Sequence, residues 1–185
     1  SFKKCSSLKI IDFPPSIKKI ENEAFCKCFA LESITIPSFV KFIGIKSFFM
    51  CKNCKYIKFN DNSNIKSIEK ETFSHCSSIE KILIPSSVTI IKEKAFNVCQ
   101  KLKYVEFLND TKIISFENKS FCSTAIESLQ IPAHLKEIGE ECFFDCNNLR
   151  SIEFPKDCEL LSIKRKSFYQ TDLNEISIPS SVTNI

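Results

Sequence analysis

Eleven cysteines and two histidines carry most of the reactive side-chain chemistry open to this 185-residue chain. Cys26 and Cys28 flank a single lysine, a spacing that reads as a metal clip, as half of a disulfide framework, or as nothing chemical. Cys51 and Cys54 form a C-x-x-C pair of the kind thiolate zinc sites use. His75 adjoins Cys76, the residue types of a thiol nucleophile and its base. Asn109-Asp110-Thr111 and Asn118-Lys119-Ser120 are acceptor sequons for N-glycosylation.

Whether such groups converge depends on the elements that carry them, and a repeat fixes those elements. Phe2, Phe25, Phe48, Phe73, Phe96, Phe121, Phe143 and Phe168 follow one another at 23, 23, 25, 23, 25, 22 and 25 residues. Three residues after each comes Cys5, Cys28, Cys51, Cys76, Cys99, Thr124, Cys146 or Thr171. An apolar residue, an apolar-x-apolar pair and usually a proline follow, giving F-x-x-C-x-x-L-x-x-I-x-I-P-x-x-V-x-x-I as the unit. The irregular spacings have local causes. "NDNSN" (60–64), "LNDTK" (108–112) and "PKDCE" (155–159) each add two residues after the alternating segment, and the two threonine units each lack one residue before it.

Short alternating segments such as "LESITIP", closed by proline, predict strands. "VKFIG" and "VTIIK" predict a second, shorter extended piece. The "AFxxCxx" stretch between them is too brief for a regular helix and predicts a 3₁₀ or single helical turn. The expected architecture is therefore an α/β solenoid of about eight units of 22–25 residues spanning residues 1–185, with eight parallel strands on one face and short extended or helical turns on the other. Neither end carries a polar cap over its last apolar rung, which reads as a portion of a longer array. At 43% apolar residues the chain has enough material for a continuous core.

The repeat absorbs most of the candidate chemistry. Cys28, Cys51 and Cys76 are ladder positions expected to point inward, with Cys26 an occasional neighbour. Stacked rungs bring ladder cysteines within the Cα range of about 4.4–6.8 Å that a disulfide tolerates, but with parallel Cβ vectors, so mostly free thiols are expected. Cys51 and Cys54 lack two further ligands in register. His75 should point away from Cys76, and His134 has no nucleophile beside it. No catalytic residue, metal or cofactor is expected.

Other classes fall on composition. Two glycines leave no phosphate-cradling loop, and 26 basic residues interleaved with 22 acidic ones leave no phosphate-binding block. No run approaches the ~20 apolar residues of a membrane-spanning helix.

What remains is surface. Outward strand positions form columns across units. One column, Lys9, Glu32, Lys55, Glu80, Lys103, Glu127 and Arg150, alternates in sign and reads as a register-fixing charge ladder. In the next two columns Tyr56 and Tyr104 flank Lys81, with Lys58 and Leu83 beside them, the composition of a protein-binding patch.

Units such as "AFCKCFALESITIPSFVKFIG", "TFSHCSSIEKILIPSSVTIIKEKAF" and "CFFDCNNLRSIEFP" resemble the BspA-like class of leucine-rich repeats over essentially the whole chain. Thr124, Thr171, Asn60 and Leu108 depart from its consensus, and its glycine survives only as Gly44 and Gly139. The resemblance implies a surface or secreted protein used for adhesion or recognition, its ligand an extracellular-matrix or host surface protein, and no shared active site. In that setting Asn109 and Asn118 are expected glycan acceptors. The alternative is a cytoplasmic scaffold or regulatory repeat protein, which free thiols favour.

Overall fold

The computed structural model describes residues 1–108 and 110–185. Long and short strands alternate along the chain: β1 (Lys19–Ile20), β2 (Ser33–Ile36), β3 (Phe42–Ile43), β4 (Tyr56–Phe59), β5 (Ser67–Ile68), β6 (Lys81–Ile84), β7 (Ile90–Ile91), β8 (Tyr104–Phe107), β9 (Ser115–Phe116), β10 (Ser128–Gln130), β11 (Glu137–Ile138), β12 (Ser151–Glu153) and β13 (Ser162–Ile163). All pairing is parallel, each strand meeting its equivalent one coil away. The long strands alternate as the pattern requires: in β6, Lys81 and Leu83 face out while Ile82 and Ile84 are buried. Proline ends the long strand because it has no N–H for the ladder, and it opens a four-residue turn. Val40 and Val88 close such turns by donating N–H to Pro37 and Pro85 oxygens at 3.1 Å.

Two expectations need correction. Six long strands form among the described residues rather than eight, since the first and last units make none. The turns are also not helical, and there is no helix among the described residues. In the A-F-x-x-C segment alternate amides serve different partners. Glu23, Phe25 and Lys27 donate to Ile45, Ser47 and Phe49 oxygens of the next coil, whereas Ala24, Cys26 and Cys28 donate back to Glu21, Glu23 and Phe25. A helical turn would keep every amide within its own coil.

The alternation requires left-handed residues two before and two after each inner phenylalanine, such as Glu23 (φ 57°) and Lys27 (φ 62°). Each closes an overlapping β-turn. The outcome is a third intercoil ladder, at the corner of the coil, that sends the phenylalanine inward. The eight rings make one continuous near-parallel stack, with centroids 5.3–5.6 Å apart and planes within 17°.

The insertions set where the long-strand sheet breaks. The pair β2–β4 is in register from Ser33↔Tyr56 to Ile36↔Phe59, and β6–β8 from Lys81↔Tyr104 to Ile84↔Phe107. After "NDNSN", however, β4 and β6 meet only at Tyr56↔Lys81. The two extra residues follow the end of β4, on the side where the pairing is lost. After "LNDTK" the next unit also lacks one residue before its strand, so both ends of the rung are displaced. There β8 and β10 do not pair at all, and a new sheet begins with β10–β12.

Candidate functional site

The candidate site lies on the outer side of the long strands. Register puts Tyr56, Lys81 and Tyr104 side by side as the column predicts, with Leu83 opposite Glu106 in the adjoining column. Tyr56 is 70% exposed and Tyr104 47%, so neither ring is used by the core. Lys58 is exposed next to them, on β4. Lys81 is not left free between the tyrosines, its Nζ lying 2.7 Å from Glu106 Oε1. The structure thus brings the five residues onto one face but ties the central cation to a carboxylate that the sequence reading left out.

Beyond Tyr104 the sheet break opens a groove of about 500 Å³. Leu83, Tyr104 and Glu106 form one wall, and Gln130 and Glu153 the other. Gln130 Nε2 donates to Glu153 Oε2 at 3.1 Å. No spacing rule singles out these residues, but the insertion at 108–112 and the missing residue near Thr124 mark the rung where the groove opens.

The charge column closes only in part. Lys103 Nζ lies 3.0 Å from Glu127, whereas Arg150 turns to Asp172 at 3.2 Å instead of to Glu127.

Of the six ladder cysteines Cys5, in the first unit, is exposed; the other five are buried as their spacing predicts, and they have a second role that the sequence did not reveal. Each donates its S–H to the carbonyl of the phenylalanine one coil earlier: Cys28 to Phe2, Cys76 to Phe48, Cys99 to Phe73 and Cys146 to Phe121 at 3.2 Å, and Cys51 to Phe25 at 3.4 Å. Thr124 and Thr171 break this column. Their hydroxyls donate at 2.9 Å to Phe121 and Phe168 of their own coil. Burial pushes the thiol of Cys28 up to about 11, Cys54 to about 12 and Cys146 to about 11, and raises Cys76 and Cys99 as well. These are protonated, inward donors, the opposite of the thiolate a nucleophile or metal ligand requires.

His75 packs edge-on against Phe49, centroids 5.3 Å apart, while Cys76 Sγ faces the Phe48 carbonyl, so imidazole and thiol do not meet. Burial also lowers the His75 pKa. His134 pairs with Glu159 at 2.8 Å. Among the described residues no group of three or more His, Cys, Asp or Glu side chains converges as a metal site would, and no cysteines are bridged. Asn118 is exposed at a coil corner, with Oδ1 accepting from Glu140 N–H at 2.9 Å, while Ser120 of its sequon is buried. Asn109 lies outside the described residues.

Comparison with known proteins agrees with this architecture. A profile of the BspA type leucine rich repeat region matches residues 1–89 and 66–185, in six copies. A leucine-rich repeat protein from Bacteroides ovatus superposes with a TM-score of 0.65 at 20% identity, over 100% of this chain and 70% of its own. A leucine rich cell surface protein from Faecalibacterium prausnitzii gives 0.57 at 27%, over 77% of this chain. The pneumococcal vaccine antigen PcpA gives 0.58 at 24%, over 90%. This chain spans 43% of the length of the second and 49% of the third. Curated protein sequences give no match.

Proposed function

Because the chain belongs to the BspA type leucine-rich repeat family, we propose that it is a non-enzymatic protein-binding array, displayed at the cell surface and used for adhesion or recognition of a host or neighbouring-cell protein. The long-strand face is the binding surface, with Tyr56, Lys58, Lys81, Leu83 and Tyr104 at its centre. The observation that carries this reading is the pair of exposed tyrosines held in register on either side of Lys81, on a sheet whose other face packs on the core. Rigid aromatic side chains on a fixed sheet lose little conformational freedom when a partner covers them.

Surface display is supported by the relative from F. prausnitzii, described as a cell surface protein. In that setting Asn109 and Asn118 are the candidate glycan acceptors, and the ligand is an extracellular-matrix or host surface protein. A cytoplasmic scaffold is the second reading, favoured by eleven unbridged cysteines. The test is to immobilise the array and pass extracellular-matrix and host-membrane proteins over it. Specific capture that Tyr56→Ala with Tyr104→Ala abolishes supports the proposal, and failure to capture anything favours the scaffold.

A further inference from the structure

Charged columns on this array change sign from coil to coil. Lys9, Glu32, Lys55 and Glu80 do so on the outer face, and Glu23, Lys46, Glu71 and Lys94 at the coil corner, where Lys46 Nζ lies 3.4 Å from Glu71. Only before the short strands do three successive coils carry the same sign among the described residues. Lys18 precedes β1, Lys41 precedes β3 and Lys66 precedes β5. Lys41 N–H donates to the Lys18 carbonyl at 2.8 Å, so these two side chains leave adjacent rungs, and Thr89 N–H reaches the Lys66 carbonyl at 2.9 Å in the coil that ends the run. Lys19 stands beside Lys18, in register with Phe42. All four lysines are exposed, and among the described residues none of them pairs with a carboxylate.

The fold does not need this charge. The same position holds Thr89 and Ile114 in the next two coils, so a neutral residue suits it. Like charges on neighbouring rungs, about 4.8 Å apart, repel each other. The column also belongs to the basic part of the chain: residues 1–66 hold twelve lysines against five acidic residues, whereas residues 67–185 hold fourteen basic residues against seventeen acidic ones. Charges that interleave along the whole sequence are therefore not interleaved on this surface. Two half-buried rings, Phe39 and Phe42, lie among the lysines. Lys18 Nζ sits 5.4 Å from the Phe39 ring centroid and donates to the Pro15 carbonyl at 3.3 Å, contacts that hold the ammonium in place without neutralising it.

We propose that this face binds an acidic segment of a partner protein that carries aspartate or glutamate together with aliphatic residues. The carboxylates meet Lys18, Lys41 and Lys66 and cancel their mutual repulsion, which the array alone leaves uncompensated. The aliphatic side chains cover what is exposed of Phe39 and Phe42, and that apolar area favours a protein segment over a sulfated polysaccharide of the same charge. The surface lies along the short strands, apart from the long-strand patch around Tyr56 and Tyr104. It shares with the reading above only that the partner is a protein.

The probe is a dye-labelled nine-residue peptide repeating Glu-Glu-Leu, compared with its Lys-Lys-Leu counterpart by fluorescence anisotropy on the whole chain. The glutamate peptide is expected to bind at least tenfold tighter. Lys18→Gln, Lys41→Gln and Lys66→Gln together should reduce that ratio to twofold or less without lowering the thermal midpoint, because they relieve repulsion between exposed side chains. Lys101→Gln, Lys112→Gln and Lys156→Gln change the net charge equally at exposed, unpaired lysines of later coils and should leave the ratio above fivefold. Equal effects of the two triple variants would mean that the peptide reads net charge alone, and overturn the assignment. Equal binding of the two peptides, or no binding of either, also overturns it. So does a sulfated hexasaccharide that outcompetes the glutamate peptide and loses its own binding in the first triple variant, because the column would then serve a polysaccharide. Tyr56→Ala with Tyr104→Ala should leave the peptide ratio intact, so failure of the long-strand patch and failure of the lysine column are read separately.

Discussion

Gly44 lies so close over Asn22, one coil earlier, that a Cβ on it would stand 2.5 Å from the Asn22 backbone nitrogen and 2.7 Å from the Glu21 carbonyl carbon. The asparagine side chain completes the contact, its Oδ1 accepting from Ile45 N–H at 2.9 Å. The same clip recurs four coils on, where a Cβ on Gly139 would stand 2.7 Å from Asn118 nitrogen and Asn118 Oδ1 accepts from Glu140 N–H at 2.9 Å. In the intervening coils Glu69, Lys92 and Glu117 occupy the glycine position, over Ile45, Lys70 and Glu93. The chain's two glycines are thus placed where the preceding coil presents asparagine.

Gly44→Ala is expected to cost about 1–3 kcal/mol through overpacking, and Asn22→Ala about 1 kcal/mol through the lost hydrogen bond. Because the nearest obstacle is Asn22 backbone, Asn22→Ala should not rescue Gly44→Ala. Urea unfolding of the single and double variants checks this, and recovery in the double variant would show that the asparagine side chain alone forces the glycine.

Cys76 illustrates the thiol ladder best, since it is wholly buried and donates to Phe48. Cys76→Ala should lower stability by about 1–2 kcal/mol, through lost packing and the loss of one of the two donors to the Phe48 carbonyl, which keeps the Cys51 N–H. Cys76→Thr, the replacement already present at position 124, should shift the hydrogen bond to the Phe73 carbonyl of its own coil. Thermal unfolding and a crystal structure of the threonine variant give the two readouts.

Raised thiols also set the alkaline limit. A thiol held at about 11 or 12 in the fold, against an ordinary 9.0, keeps its proton while the unfolded chain loses its own. Protonation then favours the folded state less and less as pH climbs above 9, and that contribution is gone above about 12. Below pH 8 it should be constant. Denaturant midpoints at pH 7, 8, 9 and 10 test the sign. A thiol-specific reagent at pH 8 should label exposed Cys5 and half-buried Cys158 in the native protein well before the other nine.

Val98 holds φ 58°, the β-branched member of a left-handed column otherwise occupied by Lys4, Lys27, Met50, His75, Ser123, Asp145 and Gln170. Val98→Asn should stabilise the fold by about 1 kcal/mol by relieving that conformation. A lower denaturant midpoint would contradict it.

Much of the fold was legible because a solenoid turns each sequence column into a spatial one. Phe25, Cys28, Leu31 and Ile34 are buried as their spacing implies, and Tyr56, Lys81 and Tyr104 meet on the outer face. The turn conformation was not legible. Its left-handed positions hold lysine, methionine, histidine, valine and aspartate, types with no common propensity, and the geometry is imposed by bonding to the next coil rather than by local preference. Nor was the pull of Glu106 on Lys81, which depends on rotamers rather than on register. The insertions at 60–64 and 108–112 were visible, but their effect on pairing follows only once the rungs above them are placed.

The most direct measurement is the affinity of a captured partner protein for Tyr56→Ala, Tyr104→Ala and for Tyr169→Ala, the last removing an equally exposed tyrosine from the turn corner of the coil, where it stacks on Phe144. Binding on the long-strand face predicts at least a tenfold loss in the first variant and less than twofold in the second. Unchanged affinity in the first, or an equal loss in both, would contradict it.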